Sequence, residues 1–255
     1  MIEDLMKIGE IVGTLERPKG LDPNDRTGTE DIGINDVRLP RLAIAQGLSP
    51  QMTPGDGQHI PTLAMFDMFN DLSSEVYGKG PITFVPLRRD MHRMEFKPRK
   101  EGGGLIDANV PLNDPRLDWT VTEDGTRMPP KATTFTEFVI MLLRPGKVPE
   151  PIVLSIKHTN KFNRRAIDQL VTFIKMREAA IYAGLYTIQT VAEKNDNGTF
   201  GCPVVKNAGW IPVDTPGGKA LYDHAAKFAA SFEGKTIVTN REPGDDMPGT
   251  DPVPF

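Results

Sequence analysis

At 255 residues, with 38% hydrophobic and 25% charged residues, the chain is long enough for one substantial core or two small ones and has the make-up expected of a soluble protein. No apolar run reaches membrane-spanning length, and residues 1–6 lack the basic start and apolar stretch of a secretory leader, so a cytoplasmic location is expected. The single Cys202 excludes an intramolecular disulfide framework, and His59, His92, His158 and His224 show no metal-ligand spacing, so neither metal nor cofactor is expected.

In chain order, a short apolar stretch at 8–15 precedes residues 16–33, which are rich in Asp, Pro, Gly and Thr and read as loop or partly disordered. Residues 1–35 are therefore an N-terminal segment. The apolar residues of 37–50 flank Pro40 and read as an edge strand, and 67–77 as a helical turn or a loop. Strands follow at 82–96, 134–143 and 150–159. The period then changes. Ile167, Leu170, Val171 and Ile174 recur at helical spacing and predict a helix over 160–178, with Thr159 or Asn160 as its N-cap.

Residues 185–194 and 199–205 flank Asn195-Asp-Asn-Gly198, a strong hairpin signal. Leu221, His224, Ala225, Phe228 and Phe232 share one face of a second helix over 219–232, which stops at Gly234 and leads to a short strand at 235–239. Several strands with turn signals, an inserted helix and no alternating βαβ pattern argue for a mainly β protein with inserted α. The expected architecture is an oligonucleotide-binding (OB-type) barrel over 36–239, elaborated by helices and loops.

The net charge of −4 divides unevenly along the chain: from Arg241 onward one arginine stands against four acids, which leaves the body nearly neutral. Its positive charge gathers in two stretches. The first, 88–100, carries Arg88, Arg89, Arg93, Lys97, Arg99 and Lys100 and is followed by Gly102-Gly-Gly104. On an extended strand Arg89, Arg93 and Lys97 share one face, while Arg88, His92 and Phe96 share the other. The second stretch holds Lys157, Lys161, Arg164 and Arg165. Its two arginines fall in or near the first helical turn, where the macrodipole disfavours cations and a bound phosphate would remove the conflict. If the helix starts later, they lie in a loop and the conflict disappears.

Basic residues interleaved with aromatics are what a sequence-tolerant single-strand groove requires. A solvated edge strand whose charges prevent aggregation is the plainer alternative. Tyr186, Phe200 and Trp210 have polar, glycine or basic neighbours and are candidates for base stacking, whereas Phe84, Phe135, Phe138, Phe173 and Phe228 read as core. No catalytic residue is singled out. Gly244-Asp-Asp246 lies in a Pro/Gly-rich segment rather than on a rigid hairpin, and turn chemistry explains Asp107, Asp114 and Asp118 as well as metal binding does.

Residues 240–255 form an acidic tail. From Arg241 on, four prolines, two glycines and the mutually repelling Glu242, Asp245, Asp246 and Asp251 oppose packing, so this segment is expected to be solvated and mobile. Its end carries the free carboxylate of Phe255 behind Pro254, a ligand for a basic residue beside an apolar pocket. Asp245, Asp246, Asp251, Pro254 and Phe255 are accordingly the candidate partner-binding residues. The tail resembles the C-terminal tip of bacterial single-stranded DNA-binding proteins, although its acids are split by Met247-Pro-Gly-Thr.

A wider resemblance rests on Arg41-Leu-Ala-Ile-Ala-Gln-Gly-Leu-Ser-Pro50, Asp67-Met-Phe-Asn70, Gly102-Gly-Gly104, Leu154-Ser-Ile-Lys-His-Thr159 and Gly209-Trp210. In this order the motifs are similar to those of bacteriophage single-stranded DNA-binding proteins. The resemblance implies an accessory protein of phage replication, recombination or repair with an OB core. The expected function is non-enzymatic, sequence-tolerant binding of single-stranded DNA, with replication or recombination proteins recruited through the tail and homo-oligomerisation left open. A phage virion or assembly protein and a metal-dependent nuclease whose carboxylates are gathered only by the fold are the alternatives.

Overall fold

The computed structural model describes residues 27–28, 39–97, 104–195 and 198–232. In its first half the strands are β1 (Leu42–Ile44), β2 (Met68–Asn70), β3 (Val76–Gly78), β4 (Ile82–Phe96), β5 (Leu105–Asp107), β6 (Thr120–Val121) and β7 (Arg127–Met128). Then come β8 (Ala132–Leu143), β9 (Glu150–Lys157), helix α1 (Lys161–Met176), β10 (Gly184–Asn195), β11 (Gly198–Trp210) and helix α2 (Pro216–Ser231).

The main sheet is antiparallel in the order β11-β10-β4-β8-β9, with β5 added at the far end of β4. Both faces of its first half are buried. On one face Phe84, Phe138, Ile140, Ile152 and Leu154 pack beneath Ala166, Ile167 and Leu170 of α1, and beneath Leu42 and Met68 of the small sheet β1-β2-β3. On the other, Val85, Leu87, Val139, Met141 and Val153 pack beneath Leu221 and Ala225 of α2. Each fully buried aliphatic side chain contributes about 1.5–3 kcal/mol relative to exposure, so the apolar runs in β4, β8 and β9 fix this double-sided packing.

The helices form where their caps allow. Asn160 caps α1 by accepting from the Asn163 N–H at 2.8 Å, as the sequence predicts. Helix α2 starts three residues before its predicted start, because Thr215 accepts from the Gly218 N–H at 3.0 Å and Pro216 occupies the first turn. Gly234 and the strand expected at 235–239 lie outside the described residues.

Two expectations are corrected. Residues 67–77 form the β2–β3 hairpin, whose reversal is made by Asn70, its side-chain oxygen accepting from the Leu72 and Ser73 N–H groups at 2.8 Å each. No sheet closes into a barrel among the described residues. Strand β4 pairs with β10 only from Ile82 to Phe84, and the edge strands β9 and β11 are bridged by α1 packed across both, not by each other. Among the described residues the protein is thus mainly β with two α-helices and antiparallel sheets.

A bulge in β4 sets the orientation of everything beyond it. Pro86 pairs with Ile140 and Arg88 with Val139, so Leu87 is an extra residue. Leu87 and Arg88 therefore both point to the α2 face. From there the parity is exchanged, and Arg89, Met91 and Arg93, opposite Phe138, Thr136 and Thr134, point to the α1 face. Past the start of α1 this part of the sheet is an open ledge. Among the described residues no helix is long and apolar enough to cross a membrane.

Candidate nucleic-acid interface

The ledge begins where β9 hands over to α1. His158 follows the last residue of β9, its N–H donating to the Thr134 carbonyl at 2.9 Å and its Nε2 lying 2.8 Å from the Thr136 hydroxyl. Burial is the largest cause that holds its imidazole below the ordinary histidine range. Arg164 adds to the effect, Asp168 opposes it, and Arg89 and Arg93 lower it further. One half-buried histidine thus feels guanidinium groups from both basic stretches. β4 delivers Arg89 and Arg93, and the first turns of α1 deliver Arg164, with the exposed Arg165 beside it.

None of these four arginines makes an ion pair among the described residues. The Arg93 guanidinium has, among the described residues, a 3.4 Å contact from Nη2 to the Met91 sulfur. Helix α1 starts where the sequence places it, and beyond the Asn160 cap no acidic residue in its first turn offsets the conflict between its positive end and its cations, about 0.3–1 kcal/mol per charge at an exposed site. An anion placed on the ledge would face the positive end of α1 and the guanidinium groups together.

The remaining expected contacts divide. Arg88 faces α2, where Nη1 donates to the Phe232 carbonyl at 2.6 Å and the guanidinium pairs with Asp90 at 2.9 Å. It holds the C-terminal end of a helix, where a cation is favoured, and is not part of the ledge. Phe96 and Lys157 also lie on the far face, both against Phe135: ring centroids are 5.9 Å apart for Phe96, and Lys157 Nζ is 5.3 Å from the ring centre. Lys97 is exposed at the end of β4. Lys161 extends over Phe162, which meets Phe200 edge to face at 6.1 Å, so Phe200 joins the β10–β11 hairpin to α1.

Tyr186 is fully buried between Phe84 and Phe173 and cannot receive a base, because β10 is an inner strand. Trp210 is 54% exposed, with the Arg177 guanidinium 4.5 Å from its ring centre. Arg99, Lys100, Asp245, Asp246, Asp251, Pro254 and Phe255 lie outside the described residues.

Sequence reasoning missed His158 as the meeting point, although it sits inside the second basic stretch, and missed Arg177, which carries no local signal beyond being a cation at a helix end. Of the three carboxylates weighed for metal binding, Asp107 and Asp114 are engaged by Arg116. Arg116 reaches Asp114 at 2.8 Å, Glu95 at 2.8 Å and Asp107 at 3.0 Å, and its hydrogen bonds hold the Asp114 carboxyl down to about 2. Among the described residues no group of three His, Cys, Asp or Glu could hold a metal ion.

A family model described as Pam3 phage gp34-like protein matches residues 12–238. Comparison with curated proteins and with solved structures gives no match.

Proposed function

On the premise that the chain belongs to the Pam3 phage gp34-like protein family, which its match over residues 12–238 establishes, we propose that it binds single-stranded DNA without sequence preference in phage replication, recombination or repair. The observation that carries this reading is the convergence of Arg89, Arg93 and Arg164 on His158, beside the positive end of α1 and without ion pairs among the described residues. Such a ledge suits a phosphate backbone: it offers charge and N–H donors and no groove shaped for a base-pair edge. The protein acts as a binder, not an enzyme, in the cytoplasm of an infected bacterium. Asp245, Asp246, Asp251, Pro254 and Phe255 recruit replication or recombination partners.

The test is a titration of labelled oligo-dT and of duplex of equal length at several salt concentrations, with wild type and Arg89→Ala/Arg93→Ala/Arg164→Ala. Wild type should prefer the single strand, and the triple variant should bind more weakly with a flatter salt dependence. The slope of log K against log salt should fall by about 0.7 for each phosphate that is no longer neutralised. An unchanged slope in a folded triple variant would remove the ledge from the interface.

A second reading, a phage virion or assembly protein, draws on a different observation. Between residues 105 and 128, Leu105, Ile106, Leu112, Val121 and Met128 are all exposed, as at a subunit contact. Failure to bind either nucleic acid, with self-association in sedimentation, would favour it.

A further inference from the structure

Trp210 is held in a manner that core packing does not require. The β10–β11 pairing slips between Leu185 and Tyr186, opposite Gly209 and Asn207, and this irregularity aims Trp210 toward the C-terminal end of α1. There the Arg177 guanidinium lies between two rings, 4.9 Å from the centre of Tyr186 and 4.5 Å from that of Trp210. Its Nη2 donates to the Asn207 side-chain oxygen, which also accepts from the Gly209 N–H at 2.9 Å.

Space for this stack exists because residue 184 is glycine: a Cβ there would come within 2.6 Å of the guanidinium carbon. Arg177 Nε and Nη1 are buried without a hydrogen-bond partner among the described residues, an unfavourable arrangement that keeps a charged plane beneath the indole. Trp210 is nonetheless 54% exposed, so its covered face is the one toward Arg177 and the opposite face is open to solvent.

We propose that the open face of Trp210, oriented by Arg177, is a base-stacking platform and the second anchor point of the DNA track. This rests on the single-strand reading above and extends it to a part of the surface the phosphate ledge does not reach. Arg164 and Arg177 are thirteen residues apart along one helix and its cap, which corresponds to about 20 Å at ~1.5 Å per residue. A strand stacked at ~3.4 Å per nucleotide crosses that distance in about six nucleotides. The indole is already fixed before DNA arrives, so little ordering entropy is lost when a base lands on it. Arg177 is a positioning residue in this scheme, and Trp210 meets the base.

The chain has two tryptophans, Trp119 and Trp210, so Trp119→Phe leaves Trp210 as the only indole reporter. In that background, oligo-dT of increasing length is titrated while indole emission and the anisotropy of a dye on the oligonucleotide are read from the same samples. Emission should be quenched once the oligonucleotide exceeds about six nucleotides, and oligonucleotides of about half that length should raise anisotropy at high concentration without quenching. In otherwise wild-type protein, Trp210→Ala should weaken binding of the long oligonucleotide about 5- to 100-fold and leave the short one unaffected. Trp210→Phe should recover part of the loss, and Arg177→Ala should reduce quenching in the reporter background. Anisotropy that rises with unchanged emission, together with wild-type affinity in Trp210→Ala, would overturn the platform and leave DNA binding standing. Absence of any anisotropy change would overturn both.

Discussion

His158 gives the ledge a pH dependence whose sign follows from its neighbours. Burial and then Arg164, with Arg89 and Arg93, favour the neutral imidazole, against the pull of Asp168. The unfolded chain, in which the group titrates near ~6.5, therefore binds a proton more readily than the folded one, and this contribution to stability is full above that pH and declines as pH falls toward the lowered folded value. A phosphate on the ledge reverses the balance, because it stabilises the imidazolium. Affinity for oligo-dT should then rise between about pH 7.5 and 6, values bracketing the ~6.5 reference. His158→Gln should flatten that slope relative to wild type, while the His92–Glu137 pair on the opposite face, at 3.5 Å, stays intact. Equal slopes in both proteins would place the DNA elsewhere. Cys202 behaves in the contrary way: it is 1% exposed, and burial pushes its thiol up to about 12, so it is inert at neutral pH.

Among the elements, α1 joins fold to site, since it covers one face of the sheet and its first turn borders the ledge. Asn160→Ala removes the hydrogen bond to the Asn163 N–H and should lower stability by about 0.5–2 kcal/mol, read as a shifted urea midpoint at constant m. A midpoint that does not move would mean that water replaces the cap without loss. Helix α1 and strands β4, β8 and β9 were legible in the sequence because each is long enough to show its period. The β2–β3 hairpin was not: strands of three residues carry no period, and only the turn chemistry of Asn70 marks them. The ledge was half legible. Both basic stretches are visible, but their meeting depends on β4 pairing with β8 and β8 with β9, and such non-local registers leave no mark in either stretch. Which face Arg88 and Arg89 each take depends on the extra residue Leu87, and Tyr186 looked accessible only because its strand's place inside the sheet was unknown.

For the molecule as a whole, stability also depends on how the small sheet is fastened to the main one. Glu150, at the start of β9, accepts from Asn70 Nδ2 at 2.7 Å and from the Tyr77 hydroxyl at 2.8 Å, and pairs with Arg144 at 2.7 Å. Arg144 in turn binds Glu75 at 2.7 Å and lies over the Tyr77 ring. Glu150→Gln keeps the shape but weakens all three of these interactions at once, and should cost about 1–3 kcal/mol of stability without changing oligo-dT affinity. Lower affinity at full stability would tie this knot to binding instead. The bulge at Leu87 has a further consequence for the whole chain. It divides β4 into a clamped root and a cantilever, so Arg89 and Arg93 project from a part of the strand that lies outside the two cores packed on the sheet. Charge can therefore be removed at Arg89 and Arg93 by substitution while the root keeps its packing.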